Sequence, residues 1–356
     1  MRKNIVTQSP LIPSDYGLLQ SMIEDLKSVP KLYRPGPYWQ MQTALATREI
    51  KKYGLNEFRG ATNSIGTSYA DNAYVDIRGQ YNHGLKAIFS FFATKLFPFS
   101  RMFDAQVRLT KSHYLSTICL QNQIANGSTR VQELLHKYSV PQDTTRGGCL
   151  AYCDLNGRKI SSHYLALLDT HDILSGQIDF SSAKTFFEIG GGFGVNLHLL
   201  IENYPRLRKF VYLDIPPNLY VGTQYLKSFY GSAIKPYTET RNLSRIEFDS
   251  ANNLEVLCIA PHQIERLNVG IDIFQNSASF VEMPVGTVQN YVMHIERLTK
   301  PTHSHVALVS YDGFDLGTTF HPDKLPEFFK RKFNKYEEPL LWQPSRKAYF
   351  YISKPS

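Results

Sequence analysis

Cysteine is scarce in this chain. Four residues, Cys119, Cys149, Cys153 and Cys258, serve 356 positions, too few for a disulfide scaffold at that length. Cys149 and Cys153 lie four apart with no second pair to complete a zinc site, so the sequence points to reduced thiols, a cytoplasmic setting and no metal. Long apolar runs are missing too. The best stretch, 87–98, is broken by Lys95 and falls short of the roughly 18 residues a membrane helix needs. The start Met1-Arg2-Lys3-Asn4 leads into polar residues and Pro10, which argues against a signal peptide. Charge of neither sign is concentrated: the formal net charge is +8, with the basic residues scattered. That balance suits an acidic or phosphate-bearing partner without marking a nucleic-acid surface.

What the chain does have is apolar content, 42% of its residues, enough for a sizeable core. It also has one stretch around which the rest is organised, Phe186-Phe187-Glu188-Ile189-Gly190-Gly191-Gly192-Phe193-Gly194-Val195-Asn196-Leu197. Apolar residues lead into a carboxylate, then glycines, then a helical pattern: a buried parallel strand, a tight turn and a helix start. Glycines there allow positive φ and close approach of main chain to a ligand, and the free N–H groups of the helix start favour a polar or anionic group. A dinucleotide turn wants G-x-G-x-x-G. Here the third glycine comes one residue early, at Gly194, giving E-x-G-x-G-x-G. That pattern resembles the first motif of class I S-adenosylmethionine methyltransferases, in which the glycines border the methionine part of the cofactor.

Ahead of this stretch, prolines at 10, 13, 30, 35 and 37 surround one helix, Tyr16–Ser28, as in an arm that packs on something else. Helical patterns then open at Trp39 and run over 81–97, 112–126 and 128–138, with a polar Gly/Ser/Thr/Asn-rich loop at 60–71. After the break at Arg146-Gly147-Gly148, strands and helices alternate as a doubly wound sheet requires. Strands are expected at Thr185–Ile189, Lys209–Leu213, 254–259, 271–275 and 305–310, with helices Asn218–Tyr230 and Val285–Leu298. Two last strands, 339–343 and 348–352, are close enough for an antiparallel hairpin turning at 343–347. A class I methyltransferase closes its sheet in that way, whereas a nicotinamide-binding domain adds a parallel strand. The expected fold is thus α/β: a Rossmann-like methyltransferase sheet with a C-terminal antiparallel hairpin over 151–356, and a mainly helical region over 1–150 that serves as acceptor lid or oligomerisation element.

In such a sheet the ligand lies beyond the carboxyl ends of the strands, at the switch point. Glu188, Gly190, Gly192, Gly194, Asp214, His262 and Asn276 are the candidate cofactor contacts. Asp214 stands twenty residues after Gly194, where a carboxylate accepts both hydroxyls of a ribose. Methyl transfer is an in-line displacement in which the protein mainly positions the acceptor, and a hydroxyl acceptor gains from a general base. Glu282, just past the fourth strand, is the first candidate base, though helix-start carboxylates are common for dipole reasons alone. His163 is the second.

Three blocks in order sharpen the resemblance: Glu188-Ile189-Gly190-Gly191-Gly192-Phe193-Gly194, Asp214-Ile215-Pro216, and Asn276-Ser277-Ala278-Ser279-Phe280-Val281-Glu282-Met283. They are similar to the sugar O-methyltransferase family of bacterial polysaccharide and glycoside clusters, over roughly 157–310. The resemblance implies S-adenosylmethionine as cofactor and a small-molecule or carbohydrate acceptor over Ser279 and Glu282, with Asp312 at the rim. It leaves open homo-oligomerisation, a non-sugar acceptor and a non-catalytic scaffold. Nucleic-acid methylation fits less well, because Asp214-Ile215-Pro216-Pro217 follows the second strand rather than the fourth, where it cannot grip a target base.

Overall fold

A computed structural model describes residues 12–60, 119–311, 318–340 and 343–353. The expected loop beyond Gly60, the helix expected at 81–97 and Asp312 lie outside the described residues. Of the helix expected over 112–126, residues 119–125 are described and helical.

The centre is an eight-stranded sheet. Its strands are β3 (Thr185–Ile189), β4 (Lys209–Leu213), β5 (Ile234–Lys235), β6 (Glu255–Ile259), β7 (Ile273–Ser277), β8 (His305–Tyr311), β9 (Phe333–Leu340) and β10 (Gln343–Ser353), in the order β5-β6-β4-β3-β7-β8-β10-β9. All neighbours pair in parallel except β10, which runs antiparallel to both β8 and β9. This is the class I methyltransferase arrangement with one two-residue strand added at the far edge. A separate hairpin, β1 (Tyr152–Leu155) with β2 (Arg158–Ser161), precedes it.

The parallel strands β3, β4, β6, β7 and β8 are buried on both faces and read as continuous apolar runs rather than alternating ones. The edge strand β9 is instead polar and, over 333–339, exposed or half-buried. Phe186, Phe210, Tyr212, Val256 and Cys258 pack into one core with α4 (Ser162–Ser175), α5 (Val195–Asn203) and α6 (Asn218–Tyr230). Phe187, Val211, Leu213, Leu257 and Phe274 pack into the other with α8 (Val285–Leu298). Between α6 and β6 comes α7 (Tyr237–Thr240). The N-terminal elements are α1 (Tyr16–Ser28), α2 (Pro37–Tyr53) and α3 (Thr129–Lys137). Asp15 caps α1 by accepting from Leu18 N at 3.0 Å, and Pro37 opens α2, where a missing N–H costs nothing. These helices belong to the same cores: Leu18, Leu19 and Met22 to the first, Leu26, Val29 and Tyr33 to the second.

The hairpin forms, but with other bounds. The penultimate strand starts at Phe333 rather than 339, Gln343 already pairs with Leu340, and 343–347 is an irregular stretch of β10 rather than the turn. Pro344 reads as a turn residue, yet it lies in β10 where the register against β9 shifts between Gln343 and Lys347, an irregular stretch of the kind that tolerates a proline inside a sheet. Pro339, expected to open a strand, falls near the end of the edge strand β9. The fourth parallel strand likewise begins two residues late, at Ile273, so that Asn276 and Ser277 end it rather than follow it. Among the described residues no helix is long and apolar enough to cross a membrane.

Two histidines are buried in aromatic surroundings. His171 Nε2 pairs with Tyr204 OH at 2.6 Å, and His198 Nδ1 with Tyr225 OH at 2.9 Å. Burial lowers both pKa values to about 3, so each stays neutral in the fold and titrates near its ordinary value when unfolded. Stability supplied by the neutral forms is present above pH 6.5 and is lost as pH falls towards 3, at about 1.4 kcal/mol per unit for each group. Urea denaturation at pH 6.5 and 4.5 checks this by difference, because the raised carboxyls of Glu188 and Asp214 slope the opposite way over the same range: His198→Phe should gain on the wild type by about 1.4 kcal/mol per unit as the pH falls.

Candidate active site

The crossovers from β3 lead outward through β4 to β6 and then return to the other side at β7, so the switch point lies between β3 and β7. The glycine turn sits there. Gly190, Gly192 and Gly194 have φ of 76°, 63° and 81°, a region that side chains disfavour. Space is as restrictive as conformation: a Cβ on Gly190 would stand 2.1 Å from Ser279 Oγ, and one on Gly191 would stand 2.5 Å from Glu188 Oε2. Gly194 is the left-handed N-cap of α5.

Beneath the turn lies the Glu188 carboxylate, 2% exposed. Asn196, in the first turn of α5, donates to its Oε1 at 2.8 Å, while Oε2 is buried without a hydrogen-bond partner. Burial pushes the Glu188 pKa up to about 8, with Asp214 adding to the rise and Asn196 opposing it. Asp214, at the end of the adjacent β4, accepts from Gly192 N at 2.9 Å and Ile215 N at 2.7 Å. Its pKa is raised to about 7, again by burial, against the pull of those two N–H groups and with the Glu282 charge adding to it. Two buried carboxyls with raised pKa values, one with an orphaned oxygen, give the turn an electrostatic environment that favours a cation. Tyr212 braces the turn from below by donating to Gly192 O and Asn218 O.

Asn276 and Ser279 are also at the turn, joined to the framework. Asn276 Nδ2 donates to Ile189 O at 2.8 Å and to Ser279 Oγ at 2.6 Å, and its Oδ1 accepts from Phe280 N at 3.2 Å. Ser279 Oγ fills the space above Gly190 and donates to Ile189 O at 3.3 Å. These contacts stitch the loop after β7 to the end of β3, a positioning task that the motif spacing did not disclose.

Glu282 closes that loop. Trp39 of α2 donates Nε1–H to its Oε2 at 2.9 Å, and Tyr311 at the end of β8 donates to its Oε1 at 3.3 Å. His163 lies on α4 with its ring 5.9 Å from that of Phe193, inside the glycine turn. His262 follows β6, 6.4 Å from the Tyr237 ring. Its Nδ1 is buried without a partner, and burial together with Arg266 lowers its pKa. Asn196 and Trp39 escaped the sequence reading. A polar residue in an otherwise apolar helix turn was a signal for Asn196; nothing in the sequence links position 39 to position 282.

The chain matches no protein-family model and no curated protein. Among solved structures it is similar to the mitomycin 7-O-methyltransferase MmcR, at 14% identity and a TM-score of 0.37 over 75% of this chain and 71% of that one. It is also similar to an O-methyltransferase family protein from Burkholderia thailandensis, at 11% and 0.38 over 55% of this chain and 58% of that one. A SAM-dependent methyltransferase from Aquifex aeolicus aligns at 11% and 0.36 over 53% of this chain and 92% of that one. At these identities and scores the similarity assigns neither activity nor substrate.

Because the folded-state pKa of Glu188 is raised, its contribution to stability is present below its unfolded value of 4.5 and is lost as pH rises through about 8. Glu188→Gln should therefore gain on the ligand-free wild type between pH 5.5 and 8.5, by about 3 kcal/mol. Chemical denaturation at the two pH values measures it; equal differences at both would show that the wild-type carboxyl is solvated.

Proposed function

We propose that the chain is an S-adenosylmethionine-dependent O-methyltransferase acting on a small hydroxyl-bearing acceptor. One observation carries this reading: the buried, unpartnered Oε2 of Glu188 under a turn of left-handed glycines, one strand away from a second buried carboxyl. The residues fit the cofactor. Glu188 would take its ammonium, the main chain of 190–194 would border its methionine part, and Asp214, already anchored by two N–H groups, would accept the ribose hydroxyls. His262, after β6, belongs to the adenine end.

S-adenosylmethionine supplies an electrophilic methyl group on a sulfonium, which departs as a neutral thioether when the acceptor oxygen bonds to the methyl carbon. The chain's own part is to align the acceptor and to hold the proton it gives up. Glu282 is the base in this reading, since its two oxygens are oriented by Trp39 and Tyr311 at the mouth of the site. His163 stands behind it as the second candidate. The helical region over 1–150 would form the acceptor side, with α2 already in contact with Glu282. A sugar or glycoside is the acceptor implied by the motif resemblance; the net charge of +8 suits one that bears phosphate. Asp312 would stand at the rim of that site.

Calorimetric titration with S-adenosylhomocysteine tests the cofactor half. Binding should be accompanied by proton release near pH 6.5, because the ammonium re-ionises Glu188, and Asp214→Ala should lower affinity at least tenfold. Absence of binding to the folded wild type would refute the reading. Glu282→Gln should reduce kcat by roughly 10²–10⁴-fold with cofactor affinity unchanged; wild-type turnover would reassign the proton to His163.

A further inference from the structure

Resting on that reading, the inference concerns α2. Three consecutive contacts bring this N-terminal helix across the carboxyl ends of the strands. At its start, the position of a Cβ on Gly36 is 3.5 Å from Pro284, immediately after the Glu282 loop. Trp39 then donates its indole N–H to Glu282 Oε2 at 2.9 Å. One turn later, Thr43 Oγ1 donates to Pro216 O at 3.2 Å, in the loop that follows Asp214. Residues 39 and 43 share a helix face, so one rigid element touches both the proposed base and the loop after the proposed ribose carboxylate.

A carboxylate attached to a short loop would by itself rotate about its side-chain bonds. Here each oxygen accepts from a donor on a different element, Trp39 on α2 and Tyr311 on β8, which holds the carboxylate in one orientation. We propose that Trp39 is a positioning residue for Glu282: by donating to Oε2 it sets the orientation of the carboxylate. The indole acts only through that carboxylate. The docking of α2 is therefore part of the catalytic geometry rather than a cover laid over it.

The chain has two tryptophans, Trp39 and Trp342, so the indole N–H region of a ¹⁵N-tryptophan NMR spectrum contains two side-chain signals, and Trp342→Phe assigns the one from Trp39. The measurement follows that signal across pH in the full-length protein, free and saturated with S-adenosylhomocysteine. The Trp39 N–H is expected to shift downfield as Glu282 ionises and to lose this inflection in Glu282→Gln but keep it in Asp214→Asn. An inflection surviving in Glu282→Gln, or none in the wild type, would overturn the proposal. So would a Trp39 signal that reverts to its Glu282→Gln position when S-adenosylhomocysteine binds. Failure of the cofactor reading is distinct: S-adenosylhomocysteine would not bind, while the indole titration would remain.

Discussion

A carboxylate without water must be either neutral or paired, and the Glu188 side chain is placed where neither condition comes free of consequences. Its strand delivers it into the sheet's switch point, the glycine turn closes over it, and only one of its oxygens is satisfied from within the protein. Much else in the domain follows from keeping that arrangement intact. The turn must lack side chains because Glu188 Oε2 and Ser279 Oγ occupy the space. Tyr212 must reach under it, and Gly222 on α6 must in turn be small, since a Cβ there would stand 2.3 Å from the Tyr212 hydroxyl. The glycines thus serve the protein's own packing first, and their openness to a ligand is a by-product of the same scarcity of atoms.

The second constraint is that the two strand-end carboxyls share one low-dielectric region. Beyond burial, Asp214 raises the affinity of Glu188 for a proton, and the Glu282 charge raises that of Asp214. Such clustering is unfavourable in an empty pocket and relieved by positive charge. A cation bound between them would recover stability that the ligand-free chain forgoes.

How much of this was legible in the sequence depended on the range of the interaction. The parallel strands and the helices after β3 and β7 were readable because apolar runs and glycine breaks are local signals. The hairpin was expected for a sound reason but misplaced, since a proline in the irregular stretch of β10 imitates a turn. Glu188 and Asp214 stood out because their positions relative to the glycines are fixed by strand geometry. Asn276 and Ser279 were noticed for their spacing, yet their hydrogen bonds to Ile189 O show them holding the loop. Contacts such as Trp39 with Glu282 join positions 243 apart, and no periodicity encodes them.

The position of α2 also bears on the order in which the chain takes shape. The groups that Trp39 and Thr43 grip, Glu282 and Pro216, leave the ribosome only after another 170 or more residues. Until then this segment has no surface to settle on, and its apolar neighbours must be tolerated or shielded in a nascent state. Long-range closure of this kind is slow, and it makes α2, synthesised well before the loops it grips, among the last elements to find its place.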